Sequence, residues 1–198
     1  MITVYNYEGE TDEKCRMSCL DDLDVYDNEI ITKEYQEDNL YKMDVIKISD
    51  VKEYIFEYLN NVFNLMNIKV DINVEEDEKI FTVNLKSKDS AIIIGKGGKN
   101  LSSLQFLLRQ TLRNETNFNI KVNLDVSNYK LKKQQYFEQD IKKIINEVLK
   151  TKTDTKLDPM NSYNRRIVHN IASNYYNIET ESFGEEPQRY VLIKYVEK

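Results

Sequence analysis

The sequence predicts an α+β protein built from a small βαββ unit, a central αββααβ unit, a linking helix and a C-terminal helix with strands. Three observations carry this. Several stretches alternate strictly between apolar and polar residues, others repeat apolar residues at three- and four-residue spacing, and three of the five glycines fall within four residues. At 198 residues, 40% hydrophobic and 31% charged, the chain is long enough for small domains with real cores.

Taken in order, residues 2–7 alternate like a strand, 11–23 have helical spacing, and 28–35 and 40–48 alternate again. From Asp50 onward Val51, Ile55, Leu59, Val62 and Phe63 mark a helix with one buried face. Ile68, Val70, Ile72 and Val74 then alternate, the acidic stretch 75–78 reads as a turn, and Phe81, Val83 and Leu85 complete a hairpin. A short apolar segment, 91–94, meets Gly95-Lys96-Gly97-Gly98, after which Leu101, Leu104, Leu108 and Leu112 return to helical spacing. Phe118, Ile120, Val122, Leu124 and Val126 read as a strand. Asp125 and Ser127 are candidate caps for a helix to about residue 150, whose stripe is Phe137, Ile141, Ile144, Ile145 and Val148. An edge segment at 157–160, a helix over 162–175 and strands at 178–182 and 188–196 follow, with Pro159 and Pro187 at boundaries. The expected division is 1–48, 49–127, 128–150 as the linking helix, and 151–198.

The net charge of -6 is unevenly spread. Residues 1–50 hold 14 acids and 5 bases, so the remainder, with 20 acids and 23 bases, is basic. Between Lys86 and Lys133 ten positive residues face only Asp89, Glu115 and Asp125, the pattern of a surface that tracks phosphates. A solvated charged face is the ordinary alternative. No run of eighteen apolar residues predicts a transmembrane segment, and the N-terminus lacks the basic flank and apolar stretch of a secretory signal, which predicts a cytoplasmic protein. Cys15 and Cys19 have no further Cys or His pair to complete a metal site, and read as reduced, partly buried packing residues.

The glycine cluster lets a ligand approach bare backbone, the following helix N-terminus favours anions, and Lys96 and Lys99 add positive charge. Those features predict a phosphate clamp, with a turn that merely connects two helices as the alternative. A dinucleotide fingerprint requires glycine, and a Walker A loop Ser or Thr, where Asn100 stands, so no nucleotide cofactor is expected. In the last helix Arg165 and His169 are spaced i, i+4 and share a face, with Ile167 and Ile171 assigned to the core. A surface hydrogen bond or a packing histidine is the usual account of such a pair. His169 is the only histidine, and no Ser or Cys stands at a nucleophile motif, so neither catalysis nor a histidine metal centre is expected.

With its glycine loop between two helices, the segment from Asp50 to about Ser127 resembles a type II KH domain, whose GxxG loop grips the backbone of unpaired nucleotides. Asp158-Pro159-Met160-Asn161, Asn164-Arg165-Arg166-Ile167-Val168-His169 and Thr180-Glu181-Ser182-Phe183-Gly184-Glu185-Glu186-Pro187 closely resemble the Arg-x-x-x-His single-strand-binding domain. A KH domain followed by this domain resembles the bacterial Jag family, also called KhpB or EloR. The resemblance implies nucleic-acid contacts from Gly95, Lys96, Gly97, Gly98 and Lys99, and from Arg165 and His169, with Arg166 and Arg189 supporting. It assigns Asp158-Pro159-Met160-Asn161 and Gly184-Glu185-Glu186-Pro187 to turns around the helix. Single-stranded RNA is the implied ligand, and post-transcriptional regulation tied to cell envelope growth, division or sporulation the implied role. A small KH-only partner protein or a homodimer, and indirect association with a membrane insertase, are the implied partners. The first unit is similar to the Jag N-terminal domain, but Tyr35-Gln36-Glu37-Asp38-Asn39-Leu40 replaces that domain's basic, glycine-containing turn. The family's long charged linker is missing too, which places this unit close to the KH domain. The alternative is a protein adaptor with minor RNA binding.

Overall fold

The computed structural model describes residues 1–37 and 40–197, and the chain divides into two units, 1–129 and 130–198. The turn at Asp38 and Asn39, where the sequence departs from the Jag pattern, lies outside the described residues. Among the described residues no helix is long and apolar enough to cross a membrane.

The first unit starts with β1 (Tyr5–Gly9), α1 (Asp12–Leu23), β2 (Ile30–Glu37) and β3 (Leu40–Lys47), an antiparallel sheet in the order β1-β3-β2. Thr11 caps α1, its hydroxyl accepting from the Lys14 amide, and Asp12 and Glu13 complement the helix dipole. The four-residue spacing of Cys15 and Cys19 puts both on the buried face, packed with Ile30, Met43 and Val45. They are fully rather than partly buried, and desolvation raises both thiol pKa values, which makes them poor nucleophiles.

The opposite face of the same sheet is also apolar. Ile2, Ile46 and the half-buried Val4 and Ile31 join the core of the segment that follows. This is why Ile2 is buried although β1 begins only at Tyr5. No linker intervenes: β3 ends at Lys47 and α2 (Ile48–Leu65) begins at the next residue, two positions before the sequence reading placed it. The short N-terminal sheet and the segment after it therefore share one hydrophobic core.

That segment continues as α2, β4 (Asp71–Asp77), β5 (Ile80–Lys86), α3 (Ser90–Ile94), α4 (Lys99–Thr116) and β6 (Lys121–Val126). The sheet order is β4-β5-β6, with β4 antiparallel and β6 parallel to β5. The hairpin turn is at Glu78 and Lys79, both at positive φ, so Glu75 and Glu76 belong to β4 rather than to a turn. A two-residue loop with both residues left-handed matches strand twist, and acidic residues on an outer strand stay hydrated. Residues 127 and 128 also have positive φ, and the Ser127 amide bonds the Leu85 carbonyl. Asp125 lies within β6, so neither sequence-derived cap stands at the helix start.

The second unit contains most of α5 (Tyr129–Thr151), then β7 (Thr155–Lys156), α6 (Ser162–Ala172), β8 (Ile178–Phe183) and β9 (Tyr190–Tyr195), in an antiparallel sheet ordered β7-β9-β8. The α5 stripe Ile141, Ile145 and Val148 packs with Val168, Ala172, Val191 and Ile193, so this helix is part of the C-terminal core and not only a link to it. Val168 and Ala172 are buried residues of α6. Ile171 packs beside them, whereas Ile167, which the sequence reading assigned to the core, is half-buried and outside that cluster.

Candidate nucleic-acid interface

In the first unit the glycine loop is a short 3-10 turn, residues 96–98, that joins α3 to α4. Gly95, Gly97 and Gly98 have φ of 68°, 66° and 88°, a region that L side chains rarely adopt. Their surroundings differ. A Cβ on Gly95 would collide with the Asn100 side chain, and one on Gly98 would lie 2.9 Å from the Tyr129 ring. A Cβ on Gly97 would meet nothing within 4 Å. Asn100 braces the loop by donating to the Ile92 carbonyl at 2.8 Å, a role the sequence reading missed. Lys96 and Lys99 are exposed. The outer face of the loop is thus bare backbone with two exposed cations at the start of an 18-residue helix.

Two more polar residues shape the neighbouring surface. In α4, Gln105 and Arg109 stand one turn apart at the margin of the face that carries buried Leu101 and Leu108. The Leu124 amide donates to Gln105 Oε1 at 2.9 Å, and the Arg109 guanidinium donates to the Val122 carbonyl. These contacts fasten α4 to β6, which is an edge strand of its sheet. The only sequence signal was a Gln and Arg pair at helical spacing before a strand.

In the second unit Arg165 and His169 lie on one side of α6, and both turn inward. Arg165 is 7% exposed: Nη1 donates to the Met160 carbonyl at 2.8 Å and Nη2 pairs with Glu186 at 3.1 Å. One guanidinium therefore ties the helix to Met160, just before it in the sequence, and to Glu186, 21 residues beyond Arg165. His169 bridges α6 to β8 through the Thr180 hydroxyl at 2.8 Å from Nδ1 and the Ser182 hydroxyl at 3.0 Å from Nε2. Arg166 is exposed, and Arg189 is half-buried with Nε lacking a hydrogen-bond partner among the described residues. Such an orphaned donor suits an external acceptor.

Burial and the Arg165 charge hold the His169 imidazole below the ordinary histidine pKa. The folded state accordingly binds fewer protons than the unfolded chain below neutral pH, so stability from this site is complete at higher pH and declines as pH falls. The melting temperature of the native chain should drop between about pH 7 and pH 5, and His169→Gln should flatten that part of the profile. Superimposable profiles for native and variant would sink this account of the imidazole. Among the described residues no group of three or more His, Cys, Asp or Glu is placed to hold a metal ion.

Two family models match the chain, the KH domain of KhpA/KhpB over residues 52–126 and the Arg-x-x-x-His domain over residues 137–195. Three curated relatives are each named RNA-binding protein KhpB. That of Clostridium symbiosum is 41% identical over 145 residues, covering 72% of this chain and 65% of the relative. That of Bacillus subtilis (strain 168) is 33% identical over 140 residues, covering 70% and 67%. That of Streptococcus pneumoniae serotype 2 (strain D39 / NCTC 7466) is 24% identical over 173 residues, covering 87% and 53%. The matches thus span about half to two thirds of the relatives' own length.

Proposed function

The chain belongs to the Jag (KhpB) family, and from that premise we propose that it is a non-enzymatic binder of single-stranded RNA with two contact sites. The loop of Gly95, Lys96, Gly97, Gly98 and Lys99 clamps the phosphate backbone, and the C-terminal unit adds a weaker contact. The observation that supports this most is the outer face of the loop, where Gly97 leaves open backbone between two exposed lysines. In the C-terminal unit Arg166 and Arg189 reach phosphate, while Arg165 and His169 act chiefly by holding α6 against β8 and the Glu186 loop.

The same premise extends the proposal to a cytoplasmic post-transcriptional regulator tied to envelope growth, division or sporulation. Its protein partners on this reading are a small KH-only protein, or a second copy, and indirectly a membrane insertase. The proposed division is 1–48, 49–127, 128–150 and 151–198, with 1–48 sharing a core with 49–127, 128–150 packing into the core of 151–198, and 49–127 carrying the backbone clamp.

Fluorescence anisotropy of a labelled single-stranded RNA, over a salt series, tests the reading. Affinity should fall linearly with salt on logarithmic axes, by about 0.7 per phosphate engaged, and the RNA should remain intact with magnesium present. Absence of binding at low salt, or cleavage abolished by a single substitution, would overturn it.

A further inference from the structure

We propose that the cleft between α5 and α6 is a nucleotide site of its own, holding one unstacked base of a single-stranded RNA and an adjoining phosphate. The proposal rests on the RNA-binding reading and adds residues outside both the glycine loop and the Arg165 and His169 side of α6. The cleft encloses about 340 Å³, within the usual range for small-ligand sites.

Its lining combines three chemistries. Tyr163, in the first turn of α6, is 59% exposed, and its hydroxyl donates to Gln134 Oε1 on α5 at 3.2 Å. That bond holds a flat ring at the cleft, while Phe137 and Ile167 supply an apolar wall. Gln134 is itself hydrogen-bonded, its amide nitrogen donating to Glu138 at 2.8 Å. Lys130 and Lys133, one turn apart on α5 and exposed, put two positive charges at the same cleft. Asn164 adds an amide that can both donate to and accept from a base edge.

An aromatic ring beside an apolar wall, with lysines alongside, is the composition by which proteins hold unpaired nucleotides: the base stacks and the phosphate meets the cations. An acidic peptide could use the lysines but has no flat ring to set against Tyr163, so RNA is the occupant these residues fit. The helix α6 then serves two purposes. Tyr163 and Ile167, at i, i+4, face α5, while Arg165 and His169 secure the other side.

The test uses the full chain and a labelled uridine-rich single-stranded RNA, comparing native protein with Tyr163→Ala, Tyr163→Phe and Lys133→Glu. Tyr163→Ala should weaken binding about tenfold without changing the melting temperature, and Tyr163→Phe, which keeps the ring, should retain most of the affinity. Lys133→Glu should weaken binding and reduce the salt slope by about one. Ultraviolet crosslinking should join the RNA to the peptide containing Tyr163. If native protein binds RNA while Tyr163→Ala and Lys133→Glu bind equally well, the cleft proposal is wrong and the RNA-binding reading stands. A polyglutamate peptide that binds native protein, loses affinity for Lys133→Glu and is not displaced by RNA would also overturn it. Failure of the native protein to bind RNA removes the underlying reading and this one with it.

Discussion

The double substitution Lys96→Asp/Gly97→Asp should lower affinity for single-stranded RNA by about 100-fold, some 2.7 kcal/mol, and leave the fold intact. On the proposed clamp it removes one charge-assisted contact and sets two negative charges where phosphates would approach. Gly97 is the right glycine to replace because a Cβ there meets nothing within 4 Å. Its φ of 66° is left-handed, which Asp tolerates better than most residues. Substitution of Gly95 or Gly98 would be less informative: the new side chain would collide with Asn100 or Tyr129 and disturb the helix junction itself. Anisotropy titrations read the affinity, and thermal melts check the fold. Native affinity in a folded double variant would remove the loop from the binding site.

A second large effect is expected on stability. Ile46 is fully buried, sits in the N-terminal sheet, and packs in the cluster that also holds Leu59, Phe81 and Leu124. Ile46→Ala should cost about 2–5 kcal/mol, a large share of the roughly 5–15 kcal/mol that holds a domain together. Because the core is shared, the loss should appear throughout residues 1–129. Native-state hydrogen exchange should show amides of α4 and β5 losing protection along with those of β3. Protection lost in β1 to β3 alone, with α4 and β5 unchanged, would mean that the two parts fold independently.

Much of this architecture was legible because it rests on periodicity. The stripe of α2 and the leucines of α4 need only three- and four-residue spacing, and the αββααβ order of the central segment follows from alternation and the glycine cluster. The shared core was harder to read. Ile31 and Ile46 simply look like the polar-facing members of alternating strands until a second apolar surface is seen to cover them. The turn at Glu78 and Lys79 carries no Asn-Gly or Asp-Gly signal, so composition pointed a few residues too early.

The candidate site residues divide in the same way. The glycine loop is a local feature, and the sequence located it by residue type alone. Helical spacing correctly put Arg165 and His169 on one side of α6, but it does not say what lies against that side. Met160 and Glu186 claim the guanidinium, and Thr180 and Ser182 claim both imidazole nitrogens. Gln105 and Arg109 show in the sequence only as a pair at helical spacing, for a related reason: their partners are backbone groups of a strand edge whose position depends on the whole sheet.

On the two-site proposal, two weak sites on one chain act on one RNA strand. The direct measurement is affinity against RNA length, from about five nucleotides, enough for a single KH-type loop, to about twenty, for the native chain and for Lys96→Asp/Gly97→Asp. Tethered sites should raise native affinity on the longer RNA by about 100-fold or more, and the double variant should lose most of that gain. Equal gains with length in the two proteins would contradict the account.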